Sequence, residues 1–244
     1  MMSKQKLLLI HCDWSTEGDF KPEKPGININ SLTIKCVGRV DPVLVLESFT
    51  DYDGVLLMGC PIGDCHFIEG NIQTELKVKM IHKLMTMAGI EPARLAIKWA
   101  SPSDEDSAMK ALDEYLVDFE SLGELRLESL ETLNAAKLTM ENYRMRAFIG
   151  KELMLIEKGN VYGEKLSQEE YDDIADEALE LELFRNWILM LLKTESLSVK
   201  QLAKRVGLDT KDVLGHIVML NDRGLIQQDG VDGMSPLYVT MEGH

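Results

Sequence analysis

The chain has 244 residues, of which 45% are hydrophobic and 27% are charged, and its formal net charge is −15. This composition is typical of a folded globular protein with one large domain or two smaller ones. Such an acidic chain is disfavoured as a nucleic-acid-binding protein, because phosphate recognition needs basic surface. The sequence shows no apolar run of about 18 residues, as a membrane span needs, and no secretory signal at residues 1–14, so we expect a cytoplasmic protein.

Four short apolar runs in the first 123 residues predict the buried strands of a parallel sheet. They lie at residues 6–12, 32–36, 54–60 and 94–100. Helical segments follow the later runs: the first has Asp41 as N-cap before Pro42, the second ends at Gly89, and the third begins at a cap at Ser103. This alternation predicts a small α/β domain over residues 1–123, with helices covering the sheet.

Residues 13–31 interrupt that alternation. They contain two prolines, two glycines and no helical period. We therefore expect a long loop between the first two strands, and loops of that length in compact domains are usually functional or mobile.

Residues 124–182 predict a helical connector. Apolar residues recur at helical spacing from Leu127 to Phe148, with no helix-breaking residue before Gly150, which predicts one long helix. A further helical segment carries nine carboxylates between Glu164 and Glu182. These acids are either a solvated helical face or a cation-binding surface.

Residues 183–244 predict a winged-helix-like domain. A helix at 198–206, a turn at Gly207, a second helix at 210–223 and two strands around residues 229–233 follow one another in the order of a winged helix-turn-helix. From Arg185 to His244 there are seven basic and seven acidic residues, which gives no electrostatic footprint for a duplex. We therefore expect a docking domain rather than a DNA-binding one.

The four cysteines of the chain are its main candidate for chemistry. Cys12, Cys36 and Cys60 each lie at the C-terminal end of a predicted strand, and Cys65 lies in the loop after Cys60. Carboxyl ends of parallel strands meet at one edge of a sheet, where ligands bind in open α/β folds. Disulfides are disfavoured in the cytosol, so the pattern predicts a single four-thiolate site.

Several uses of such thiols stay open on spacing alone. Four thiolates suit Zn²⁺ or an iron-sulfur cluster, although one C-x4-C pair with two isolated cysteines departs from the usual paired zinc knuckles. Cysteines that end apolar strands can also be plain core residues. A catalytic pair of Cys12 with His11, or of Cys65 with His66, is disfavoured because adjacent residues of an extended chain point opposite ways.

Three motifs in order resemble one family. They are C-x-G-R-V-D-P at residues 36–42, D-G-V-L at 53–56 and G-C-x-x-G-D-C-H at 59–66. Together they closely resemble the delta subunit of methyl-viologen-reducing hydrogenase, an iron-sulfur protein of anaerobes, over the first half of the chain. The resemblance implies a flavodoxin-like α/β domain that holds a [2Fe-2S] cluster on Cys12, Cys36, Cys60 and Cys65.

The resemblance also implies a role without catalytic residues. The chain would relay electrons between a donor module and a heterodisulfide-reductase-like flavin subunit, beside other iron-sulfur subunits of a hetero-oligomeric complex. Longer relatives are similar to subunits of hydrogenase-, formate- or benzoyl-CoA-reductase-linked assemblies. The alternative is a redox- or metal-sensing winged-helix transcriptional regulator with a four-cysteine site.

Some positions depart from the family pattern or add to it. Ser15 stands where members often have a second cysteine, and Pro61-Ile62 stands where they tend to have His-Pro. Three glycines would let backbone N–H groups approach the sulfurs, or would simply form turns: Gly38, Gly59 and Gly63. Arg39 and His66 would stabilise the reduced cluster or a subunit contact, or would have only a surface or capping role.

Overall fold

The computed structural model describes residues 5–16, 20–104, 106–126 and 130–241. Its main sheet is parallel, with the strand order β2-β1-β3-β4. The strands are β1 (Gln5–Cys12), β2 (Ile27–Ile34), β3 (Gly54–Gly59) and β4 (Leu95–Trp99). The predicted parallel α/β arrangement is thus confirmed, and the carboxyl ends of all four strands lie at the same edge.

Helices cover both faces of this sheet. On one face pack α1 (Pro42–Ser48), α2 (Gly70–Met87) and α4 (Leu130–Glu141), and on the other packs α3 (Ser107–Leu122). Side chains of β1 alternate between these layers: Leu7 and Leu9 face α3, whereas Ile10 faces α1 and α2. Apolar residues on both sides of a strand are what a doubly covered parallel sheet requires.

Two of the three predicted helix boundaries near this sheet are correct. Asp41 accepts a hydrogen bond from the Val43 N–H at 2.9 Å and so caps α1. Gly89, with φ 73°, follows α2 in the left-handed conformation that ends helices. The cap predicted at Ser103 is wrong, because α3 begins only at Ser107, whose hydroxyl bonds to the Ser101 backbone.

The long loop predicted over residues 13–31 is shorter than expected. Strand β2 begins at Ile27, five residues before the predicted start at Leu32, and pairs with β1 along its whole length. It lies at the edge of the sheet, where alternate residues such as Asn28 and Asn30 face outward. Polar residues at these positions interrupt the apolar pattern, so no continuous apolar run marks the first half of β2.

The long connecting helix predicted after Gly123 is two helices. α4 ends at Glu141 and α5 (Tyr143–Leu153) begins anew, because the Asn142 side chain accepts a hydrogen bond from the Arg144 N–H at 2.9 Å. Gly150 does not end α5, which runs on into a short π-helix at Met154–Lys158. Leu127 of the predicted pattern lies outside the described residues.

Helix α6 (Gln168–Leu192) carries the acidic run and uses part of it for packing. The Ser167 hydroxyl and Glu170 form a capping box at its start. Two acids one turn apart, Asp172 and Asp176, form ion pairs with Lys79 and Lys83 of α2. The acidic face of α6 is therefore not wholly solvated, because part of it forms ion pairs with α2. The same pairs mean that it is not a cation-binding surface over its whole length.

The C-terminal part is a small unit of helices and an antiparallel sheet, with its own core. It contains β5 (Leu197–Ser198), α7 (Val199–Val206), α8 (Thr210–Asp222), β6 (Ile226–Asp232) and β7 (Ser235–Thr240), and its antiparallel sheet has the order β5-β7-β6. Ile188 and Leu192 of α6 belong to this core, whereas Leu179 and Leu183 belong to the core above the main sheet. Helix α6 therefore runs through the boundary predicted between residues 182 and 183. Among the described residues no helix has the length and apolarity to cross a membrane.

Candidate metal centre

Three cysteines lie at the carboxyl edge of the main sheet, as the sequence predicts. Cys12 is the last residue of β1, Cys36 opens the turn after β2, and Cys60 directly follows β3. Cys65 lies on the loop between β3 and α2. All four are free thiols; the three at the strand ends are buried and Cys65 is half-buried.

The four thiols form one group. A Cβ placed on Gly70 would lie 3.1 Å from Cys65 Sγ and even closer to Cys36 Sγ, so these two sulfurs sit side by side against the start of α2. Cys60 interacts electrostatically with both Cys36 and Cys65, and Cys12 interacts with Cys36 and Cys60. The topology therefore gathers residues that are separated by as many as 53 positions in the sequence.

Burial disfavours ionisation of the three cysteine thiols at the strand ends. It raises the pKa of Cys12 to about 12, and it raises the pKa of Cys36 and of Cys60 above the ordinary thiol value. Their mutual proximity adds to the rise, because each thiolate would repel the next. A metal cation reverses this preference, since coordinating thiols are deprotonated by the ion.

Backbone N–H groups point at the sulfurs. The Val37 N–H donates to Cys12 Sγ at 3.1 Å, and hydrogen bonds from the Gly38 and His66 backbones act on Cys36 and Cys60 in the direction that lowers their pKa. Such donors stabilise negative charge on sulfur and tune the potential of iron-sulfur groups. These backbone donors thus suit bound thiolates, although burial by itself disfavours ionisation of Cys12, Cys36 and Cys60.

Two glycines allow the close packing around Cys36. A Cβ on Gly38 would strike the backbone of Gly70, and a Cβ on Gly70 would strike the Cys36 sulfur. The other predicted glycines have plainer roles: Gly59 makes room for the Trp99 and Val37 side chains, and Gly63 adopts φ 92° in a turn. Gly38, one of the three glycines singled out from the sequence, donates its backbone N–H to the Cys36 sulfur.

In its chemistry the donor set fits a thiolate-bound metal group, because it combines four thiols, three of them buried, with backbone N–H donors. Thiolates hold zinc or iron-sulfur clusters. In the described ranges, no three or more His, Cys, Asp or Glu side chains are arranged so that they could hold one metal ion. The ligand set Cys12, Cys36, Cys60 and Cys65 therefore stays a prediction.

Ser15, which stands where the family often has a cysteine, has a structural role. It is fully buried, and its hydroxyl lies 2.9 Å from the Cys12 carbonyl oxygen and 3.2 Å from that of Met58. These bonds fasten the turn after β1 to the ends of β1 and β3. The Ser15 hydroxyl therefore donates to backbone carbonyl oxygens of the sheet edge.

His11 is not placed to act as a base for the neighbouring Cys12. His11 is buried, with Nδ1 3.0 Å from Thr16 Oγ1 and Nε2 3.0 Å from Thr33 Oγ1, so both ring nitrogens are engaged by hydroxyls. The His66 ring stacks on Trp14 with centroids 3.8 Å apart. Both residues are exposed, so the stack lies at the surface beside Cys65.

A half-buried lysine beside the cysteines was missed by sequence reasoning. Lys77 of α2 donates to the Gly38 and Val40 carbonyl oxygens, and its charge interacts with Cys36. Burial lowers the pKa of Lys77. Its spacing of seven residues from Gly70 places both on one face of the helix, but that spacing does not indicate which groups Lys77 contacts.

Comparisons with known proteins agree on the α/β part of the chain. The family described as methyl-viologen-reducing hydrogenase, delta subunit, matches residues 11–123. An F420-non-reducing hydrogenase iron-sulfur subunit of Archaeoglobus profundus is 33% identical over 129 residues, which are 50% of this chain and 93% of that protein. The vhc iron-sulfur subunit of an F420-non-reducing hydrogenase of Methanococcus voltae is 28% identical over 129 residues, or 50% of this chain and 90% of that protein.

A second kind of relative is much longer than the matched segment. One subunit of the ferredoxin:CoB-CoM heterodisulfide reductase of Methanosarcina mazei is 28% identical over 102 residues, which are 41% of this chain but 13% of that protein. The family match ends at the residue after α3. It therefore contains all four cysteines and leaves out helices α4 to α8.

Proposed function

Since the chain belongs to the methyl-viologen-reducing hydrogenase delta subunit family, we propose that it is an electron-transfer protein that binds a [2Fe-2S] cluster. The observation that carries the proposal is the gathering of all four cysteines of the chain at one sheet edge, within the segment that the relatives share. The ligands are Cys12, Cys36, Cys60 and Cys65. When bound, such a cluster supplies one-electron redox chemistry.

The surrounding residues hold, shield and tune this group. Burial of Cys12 and Cys36 keeps water away from the inner side of the site. The Val37 N–H stabilises negative charge on Cys12, and the Lys77 ammonium does the same near Cys36. Cys65 is the least buried ligand, so it gives the shortest path for an electron between the cluster and the protein surface.

The proposed partner is a heterodisulfide-reductase-like flavin subunit, with other iron-sulfur subunits, in a cytoplasmic hetero-oligomeric complex. Two relatives are named as iron-sulfur subunits of hydrogenases. In the Methanosarcina mazei relative, the similar segment is a small part of a heterodisulfide reductase component. A segment that is covalently joined to a protein in one organism often works beside that protein elsewhere. The donor module would be hydrogenase-, formate- or benzoyl-CoA-reductase-linked.

For the C-terminal unit we propose a winged-helix-like docking role. Helices α7 and α8 with the β6-β7 hairpin have the order of that fold. The exposed face of α8, which would meet DNA in a regulator, instead carries Leu214, Val218 and Met219. Apolar side chains there suit a protein contact better than phosphate. The transcriptional-regulator alternative is not favoured, because the relatives are redox subunits and this face is not basic.

The deciding experiment is anaerobic purification of the full chain with iron, sulfide and zinc analysis. We expect about two iron atoms and two sulfides per chain, visible absorption, and a rhombic EPR signal after reduction. Cys36→Ala and Cys60→Ala should lose most of the iron. The matched control is Ser15→Ala, which lies in the same site and should keep its iron.

Two results would overturn the proposal. One zinc per chain without iron would replace the cluster with a structural ion. Tight, salt-dependent binding of the full chain to duplex DNA, in preparations that hold no cluster, would favour the regulator.

A further inference from the structure

The edge of the sheet above Cys65 carries an exposed apolar patch. We define this cysteine-edge patch by Trp14, Ile62, Phe67 and Ile68, each of which is about half exposed or more. His66 lies within it, stacked on Trp14 and in edge contact with Phe67. Two separate chain segments, the turn after β1 and the loop after β3, therefore build one surface over the least buried of the four cysteines.

Ile68 is the most unusual residue of the patch. Its φ is 68°, in the left-handed region, and it is the only non-glycine residue with positive φ in the part of the chain that the structure describes. A β-branched side chain is strained there, whereas glycine or asparagine is tolerated. Hydrogen bonds from Ile68 N–H to Cys65 O and from Glu69 N–H to Phe67 O, both 2.8 Å, hold this conformation.

The strain at Ile68 does not serve packing within the chain, because Ile68 is 82% exposed. Backbone strain of this kind concentrates at functional sites and ligand clamps. An isoleucine that is both strained and turned to solvent, next to a candidate redox centre, is therefore explained by a contact outside the chain.

From this we infer that the cysteine-edge patch is the docking surface for the redox partner, with Ile68 as its central contact. The inference rests on the proposed function, since a cluster must come close to the next centre for an electron to pass. The exposed acids Asp64 and Glu69 flank Ile68 in the same loop, and the whole chain has a net charge of −15. The complementary partner face has an apolar centre and Lys or Arg at its rim.

The test uses the full chain with its cluster and the heterodisulfide-reductase-like flavin subunit of the same organism, purified separately. In Ile68→Asn and Ile68→Gly the new residue accepts a left-handed φ, so both variants should unfold at the same or a higher temperature than the parent. Iron content and the EPR signal should not change. Affinity for the flavin subunit should fall about tenfold or more, as for a central interface residue.

The matched control is Val117→Asn, which removes another exposed β-branched residue, 72% exposed, from α3, a helix outside the patch. It should leave the affinity as it is. Asp64→Lys combined with Glu69→Lys should weaken binding and reduce its dependence on salt.

The outcomes separate the two ideas. If the parent chain holds iron and binds the flavin subunit, and both Ile68 variants bind equally well, the docking inference is wrong and the proposed function stands. A parent chain without iron, or without affinity for that partner, overturns the proposed function and the docking surface together.

Discussion

Arg146 of α5 donates two hydrogen bonds to the carboxylate of Asp41, Nη1 to Oδ2 at 2.8 Å and Nη2 to Oδ1 at 2.9 Å. Asp41 also caps α1, five residues after Cys36. Burial alone would raise the pKa of Asp41, but hydrogen bonds from Arg146 and from the Val43 N–H outweigh it and lower the pKa. One carboxylate thus joins the C-terminal half to the segment that follows Cys36.

Because Asp41 both caps α1 and pairs with Arg146, three variants should differ in their free energy of unfolding. Arg146→Met should lower the free energy of unfolding by up to about 1 kcal/mol, because both partners are partly exposed. Asp41→Asn should cost a similar amount, since asparagine keeps the cap but loses the charge. Asp41→Ala should cost about 1 kcal/mol more, because the cap is lost too. Urea unfolding at neutral pH measures all three, and equal losses in the two Asp41 variants would contradict the capping role.

Gly70→Ala tests the tight packing at the start of α2. The new Cβ would overlap Cys36 Sγ and approach Cys65 Sγ to 3.1 Å, so we expect displaced sulfurs and much less bound iron in the purified chain. The control is Gly150→Ala in α5, where a Cβ meets nothing within 4 Å. That variant should keep its iron and gain about 0.5–1 kcal/mol of stability, because alanine favours a helix interior. Full iron in Gly70→Ala would contradict the described position of Cys36.

The sheet and its cysteine edge could be predicted because both follow from short-range patterns. Apolar runs mark β1, β3 and β4, and parallel pairing alone then brings Cys12, Cys36 and Cys60 to one edge. The features that were missed depend on context. Strand β2 is polar on its outer positions, and Asn142 interrupts a helix in a sequence whose pattern continues through it.

Contacts between distant residues were the other part that the sequence concealed. Nothing in the local pattern of Lys77 shows that it will meet the carbonyl oxygens of Gly38 and Val40. The pairing of Arg146 with Asp41 likewise joins residues 105 positions apart. Propensity and periodicity describe single elements, whereas these contacts are fixed by how elements pack.

Lys77 should raise the reduction potential of the proposed cluster. Reduction adds negative charge, and the half-buried Lys77 ammonium beside Cys36 stabilises that charge. Lys77→Met should therefore shift the potential to more negative values, whereas Lys77→Arg, which keeps the charge, should shift it less. An EPR-monitored redox titration measures the shift. Lys83→Met is the control, because Lys83 also lies on α2 but pairs with Asp176; equal shifts in the Lys77 and Lys83 methionine variants would refute a specific role.

His216 of α8 should make the C-terminal unit less stable in mild acid. The residue is buried, its ring lies 6.2 Å from that of Phe184, and burial lowers its pKa below 6.5. Arg185 of α6 lowers the pKa further, whereas Asp212 on the same helix opposes the shift. Near pH 6.5, His216 therefore binds a proton in the unfolded chain more readily than in the folded chain.

It follows that the free energy of unfolding decreases as the pH falls below 6.5, because the unfolded state binds more protons there. His216→Phe removes the group and should flatten this dependence, so that the variant gains on the parent chain between about pH 7.5 and pH 5.5. Urea unfolding at the two pH values gives the difference directly. Arg185→Met should show a smaller loss in acid than the parent, because one repulsive charge is gone. Parallel pH profiles for the parent and His216→Phe would mean that His216 is protonated in the folded chain as readily as in the unfolded one.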